Sequence, residues 1–172
     1  MKRRIIRKWF WVWEFEEEEK WLNDMARRGW ALDGVGFAKY TFVESAPAEY
    51  TVRLEMLDHQ PASMEGQNYI DFVEELGAEY IGNVMKWVYF RKKTAEGPFD
   101  LYSDIDSRIR HLDRITKMMG AIALANLLIG VSNMRLGGIG LINIGGAALL
   151  GYAIRKIQKI KEKLQKDRTL HE

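Results

Sequence analysis

The chain has 172 residues, no cysteine and a formal net charge of +2 at neutral pH, with 47% hydrophobic residues. That length suits one ordinary domain with an appendage, and the missing thiols exclude disulfides, thiolate metal sites and a cysteine nucleophile. The small net charge hides a segregation: residues 1–8 hold five basic side chains and no acid, residues 9–100 nine basic against eighteen acidic, and residues 101–172 twelve basic against six acidic.

An acidic central block is a poor match to phosphate backbones, so no nucleic-acid partner is expected. Basic segments flanking an apolar stretch are instead what an anionic leaflet attracts. The N-terminus is basic, but Trp9 to Phe15 is too short and too aromatic for a signal-peptide core, and Glu16 to Glu19 close it off. A cytoplasmic setting is therefore expected for the acidic part.

Lys8 to Phe15 is aromatic and β-branched enough to predict a strand, with Trp9, Trp11 and Trp13 on one face and Phe10 and Val12 on the other. Glu16 to Arg28 predicts a helix: acids begin it, Arg27 and Arg28 end it, Trp21, Leu22 and Met25 form its apolar stripe, and Gly29 stops it. Trp30 to Val43 reads as one strand bent or bulged at Gly34 and Gly36. Tyr50, Val52, Leu54 and Met56 alternate with Thr51, Arg53 and Glu55, the clearest period of two in the chain.

After a loop from His59 to Gly66, Gln67 to Leu76 predicts a second amphipathic helix ended by Gly77, and Glu79 to Lys92 a last strand. The resulting order, β-α-β-β-α-β, is that of a ferredoxin-like split βαβ domain over residues 1–98, an α+β fold. Residues 99–117 read as a linker helix that opens with a capping-box variant at Ser103 and Asp106.

Residues 118–154 are the most informative stretch. Met118 to Met134 and Leu136 to Ile154 are uncharged runs of seventeen and nineteen residues, separated by Arg135 alone. As helices they would measure roughly 25 to 28 Å, near the thickness of a thin hydrocarbon core. The glycines at 137, 138 and 140 suggest a turn between them, and Asn126, Asn133 and Asn143 would be satisfied by bonds between helices. Small residues four apart (Ala121 with Ala125, Ala147 with Gly151) would allow close helix contact. Residues 155–172 form a basic tail. Arg108, Arg110, Arg114 and Lys117 before the hairpin and the tail after it place both flanks, and both termini, in the cytoplasm by the positive-inside rule. The expected address is thus a two-pass cell-membrane protein; a soluble helical hairpin buried in a dimer is the competing reading.

The run Trp9-Phe10-Trp11-Val12-Trp13-Glu14-Phe15-Glu16, then Lys20-Trp21-Leu22-Asn23-Asp24-Met25-Ala26 ending in Gly29-Trp30, resembles the bacterial domain-of-unknown-function family DUF2812. Glu49-Tyr50, Arg53-Leu54-Glu55, Tyr89-Phe90-Arg91-Lys92-Lys93 and Phe99 to Arg108 extend the resemblance to roughly residues 5–115. It implies membrane spans after the domain and genes neighbouring PadR-type regulators. It implies no activity for particular residues.

Candidate chemistry is sparse. Glu16 to Glu19 read as a solvated first turn, Asp104-Ile105-Asp106 as helix capping, and His59, His111 and His171 as scattered. Gly34-Val35-Gly36 lacks the third glycine of a dinucleotide fingerprint. No catalytic residue, metal site or cofactor is expected. The remaining constellation is the sheet face away from the helices, where Trp11, Trp13, Arg53, Glu55, Trp87 and Tyr89 would offer aromatic stacking beside one cation and one acid. Such a face would bind a partner, a regulatory protein or a small amphipathic ligand, or pack in a homodimer. A structural, self-assembling membrane protein is the second reading, and an enzyme the distant third.

Overall fold

The computed structural model describes residues 2–102, 105–134 and 138–171, with side chains up to residue 166, so Ser103, Asp104, Arg135 and Gly137 lie outside it. It divides into two compact units, Met1–Leu101 and Tyr102–Glu172.

In the first unit the elements run β1 (Arg3–Arg7), α1 (Phe15–Arg27), β2 (Trp30–Gly36), β3 (Lys39–Glu44), β4 (Tyr50–Met56), α2 (Met64–Glu75), β5 (Glu79–Val84) and β6 (Trp87–Lys93). They form two antiparallel sheets, ordered β1-β3-β2 and β4-β6-β5. The α+β class is as expected, but strands number six. The stretches read as single strands, Trp30 to Val43 and Glu79 to Lys92, fold back as two-residue hairpins at Phe37-Ala38 and Met85-Lys86. The observed order is β-α-β-β-β-α-β-β in two sheets, in place of the expected β-α-β-β-α-β.

The same unit, β-α-β-β, therefore occurs twice. Each copy orders its strands first, third, second, and each has a register shift in its second strand, at Leu32/Gly34 and Tyr80/Gly82. Each helix ends two residues before a glycine of positive φ, Gly29 at 80° and Gly77 at 86°, as the sequence predicts.

The first strand also lies upstream of its expected place. Glu14 accepts the Trp11 amide at 3.0 Å, which turns Val12–Glu14 into a 3-10 turn leading into α1. Pairing falls instead to Arg3–Arg7, an exposed edge whose arginines discourage further strand addition. Only Ile6 of that strand packs on the core.

Two cores result. Leu22 and Met25 of α1 meet Leu32, Tyr40 and Phe42 of the first sheet and Val52, Leu54 and Tyr89 of the second. Ile70 and Val73 of α2 cover the other face of the second sheet through Val88 and Phe90, with Phe99 closing the cluster. The sheets approach at β2 and β5, where a Cβ on Gly82 would lie 3.3 Å from Val35. Arg91 crosses that seam, donating to the Leu32 carbonyl and pairing with Glu79 at 2.7 Å.

The second unit is a hairpin of α3 (Ile105–Ser132) and α4 (Gly138–His171). Both helices are long and apolar enough to cross a membrane. Gly138 and Gly140 begin α4 instead of forming the turn, and Gly140 serves close approach: a Cβ there would lie 2.8 Å from the Gly130 carbonyl. Asn126 and Asn143 donate to the carbonyls four residues back, Ile122 and Ile139, and not across the hairpin. In apolar surroundings the carbonyl one turn away is the nearest acceptor.

Candidate functional site

The expected open aromatic face does not form as one surface, because both faces of the second sheet are covered. Glu55 is buried and accepts the Tyr69 hydroxyl from α2. Tyr89 is buried on the opposite face, where its hydroxyl donates to Glu18 at 2.7 Å. Arg53 is half-buried and reaches Glu19 of α1 at 3.2 Å. Trp87 stacks on Phe15 beside the first core. Trp11 and Trp13 stay together apart from that core, with rings parallel at 5.1 Å. Along β4, Val52 and Leu54 face the first core, while Tyr69 of α2 covers Glu55.

Two arrangements escaped the sequence reading. Glu18 belongs to the acidic first turn of α1, yet it is buried and accepts both Tyr40 and Tyr89 hydroxyls at 2.7 Å. Burial holds its carboxyl above the usual range, against the opposing hydrogen bonds from Tyr89 and Tyr40. Burial likewise pushes both phenols up, with the Glu18 charge adding to it. The carboxylate thus ties α1 to β3 of one repeat and β6 of the other. The signal was spacing: Glu18, Leu22 and Met25 share one helical stripe.

The next stripe of α1 seals a sheet edge. Asn23 donates to the Val52 carbonyl and accepts the Val52 amide, both at 2.9 Å, while Glu19 accepts the Leu54 amide at 3.3 Å. The outer side of β4 is thereby satisfied by side chains in place of another strand.

A third cluster is open to solvent. Where β1 ends beside the β2–β3 hairpin tip, Arg7, Lys8, Trp9, Phe37, Ala38 and Lys39 line a cleft. The Trp9 ring meets Trp11 and Phe37 edge-on at 5.6 and 5.3 Å. The Lys8 ammonium sits 4.6 Å over Phe10 and 4.7 Å over Trp21.

His59 is exposed on its loop in the first unit, and His111 is buried in α3 of the second. Asp104 and His171 lie outside the described side chains. No group of three or more His, Cys, Asp or Glu placed to hold a metal occurs among the described residues.

The family described as Protein of unknown function (DUF2812) matches residues 14–124, well over half of the chain. The chain belongs to this family. The DUF2812 match takes in the Glu18 and Asn23 contacts and runs on into the apolar part of α3. Arg7, Lys8, Trp9 and Trp11 precede the region shared with DUF2812, whereas Phe37 and Lys39 lie within it. No curated protein and no solved structure matches the chain.

Proposed function

We propose that this DUF2812 chain is a membrane-tethered accessory protein, whose α+β unit works by binding at the cytoplasmic surface of a bilayer. The observation that carries the reading is the outer surface of the α3–α4 hairpin. Ile122, Leu124, Leu127, Leu128, Ile139, Leu141 and Ile142 are all exposed. Only 17% and 11% of the most apolar windows of the two helices is buried, which is unlike the core helices of a soluble fold. Such a surface is costly in water and neutral in lipid.

Charge supports an orientation. Arg108, Arg110, Arg114 and Lys117 precede the apolar part of the hairpin and the basic stretch from Arg155 follows it, with Lys161 paired to Asp113 at 2.6 Å. Both flanks and both termini would then be cytoplasmic. The tether holds the α+β unit near the leaflet, and its solvent-facing aromatic cluster suits binding better than catalysis.

The absence of cysteine makes the test clean. Single substitutions Asn133→Cys, near the hairpin tip, and Gln165→Cys, in the basic stretch, are probed in intact cells with a membrane-impermeant maleimide. Labelling at 133 before permeabilisation and at 165 only after it is the expected result. The reverse pattern overturns the orientation, and recovery of either variant in the soluble fraction overturns the tether.

A further inference from the structure

The cleft at the end of the first sheet combines two properties that seldom occur together without a use. Trp9, Trp11 and Phe37 are 51%, 45% and 75% exposed although they touch one another as a cluster. Contiguous exposed aromatic surface of this kind marks an interaction site. The cleft is also wholly basic: Arg7, Lys8 and Lys39 line it and no acid does. Arg7 and Lys39 face each other across the β1–β3 pairing, and neither enters an ion pair among the described residues.

Three occupants can be weighed. A second copy meeting this patch about a two-fold axis would bring Arg7, Lys8 and Lys39 against themselves, since such an interface is self-complementary. Nucleic acid would meet the eighteen acids of residues 9–100 along any extended footprint. An anionic lipid surface requires only a small contact. Indole and phenyl rings settle at the headgroup level, and neighbouring cations pair with lipid phosphates. The acids of the unit confine that contact to this patch, while the tether supplies the local concentration.

We propose that this aromatic–basic cleft is an interfacial lipid contact, in which Trp9, Trp11 and Phe37 seat among the headgroups of an anionic leaflet and Arg7 and Lys39 pair with lipid phosphates. The inference rests on the membrane tether proposed above. It gives the α+β unit a docked state on the bilayer and an undocked state held only by the hairpin.

Fluorescence separates the two claims, because all six tryptophans, Trp9, Trp11, Trp13, Trp21, Trp30 and Trp87, precede α3. The full-length protein is reconstituted into vesicles of brominated phosphatidylcholine, with or without phosphatidylglycerol, and floated on a density gradient. Docking predicts bromine quenching that needs phosphatidylglycerol and is relieved by salt. Arg7→Gln with Lys39→Gln, which keeps every tryptophan, should lower the docked-to-undocked ratio about fivefold per cation. Trp9→Phe with Trp11→Phe should remove most of the quenching while flotation is unchanged. A chain that floats but stays unquenched, or is quenched equally without anionic lipid, overturns the lipid contact and leaves the tether standing. Quenching that survives the tryptophan replacements places the contact elsewhere and overturns it too. A chain that does not float at all overturns the tether, and the lipid contact falls with it.

Discussion

Glu18 sits among apolar side chains with two phenols donating to one carboxylate oxygen, and this gives the fold a pH signature. Its carboxyl is held above the usual range by burial, so the folded state keeps a proton that the unfolded chain releases near 4.5. The stabilising contribution is complete below that unfolded value and is lost as pH rises through the raised folded one. Glu18→Gln retains an acceptor for Tyr40 and Tyr89 and has no proton to lose. Thermal melts of the detergent-solubilised protein from acid to neutral pH should show a shallower decline for Glu18→Gln, with a neutral-pH Tm equal to or above that of the parent. Glu19, whose carboxyl burial also raises against the Arg53 charge, keeps a contribution of the same sign in the variant. Tyr89→Phe removes one of the two donors to a buried acid and should cost about 1–3 kcal/mol by denaturant titration. Residue types alone described Glu18 as a solvated helix-start acid. Its helical phase with Leu22 and Met25 was in the sequence, but the phenols that meet it come from strands whose pairing no local pattern displays.

At the scale of elements, α1 does two jobs with adjacent stripes: Leu22 and Met25 fill the first core while Glu19 and Asn23 close the edge of β4. Asn23→Ala would leave the Val52 amide without its acceptor and the Val52 carbonyl with the Arg53 guanidinium alone, at about 1–3 kcal/mol in a denaturant melt. It would also expose a strand edge, so light scattering of the variant should rise before the melt. A second element-level constraint is Gly66 in the first turn of α2, where a Cβ would fall 2.1 Å from the Gln60 carbonyl oxygen and 2.9 Å from the Pro61 Cα. Those are backbone atoms that cannot swing aside, so Gly66→Ala should destabilise by about 1–3 kcal/mol, measured the same way. Helix limits were legible because Gly29 and Gly77 end both helices through positive φ. The hairpins were not, because their turns at Phe37-Ala38 and Met85-Lys86 lack the Asn-Gly or Gly-rich dipeptides that announce such turns, and instead place Ala38 and Met85 at positive φ. The displaced first strand has a similar origin: the aromatic run looked extended, but the Glu14 carboxylate caps Trp11 and bends it.

For the whole molecule, a duplicated β-α-β-β unit joined in sequence to an apolar helical hairpin was partly visible in advance. The hairpin was legible because two uncharged runs need no knowledge of partners to be recognised. The duplication was hidden, since the two repeats share strand order and glycine-stopped helices more than residue identities. The expected six-residue face failed as one surface because α2 and the first sheet cover opposite sides of the same strands. The proposed work of the molecule depends on the hairpin being in lipid, whatever the α+β unit meets there. Alkaline carbonate extraction of cell membranes carrying the full-length protein reads this directly, since the wash strips proteins held only at the surface. Insertion predicts that the protein stays in the pellet and leaves it only with detergent. Release into the carbonate supernatant, or recovery in the soluble fraction after a high-speed spin without detergent, would contradict it.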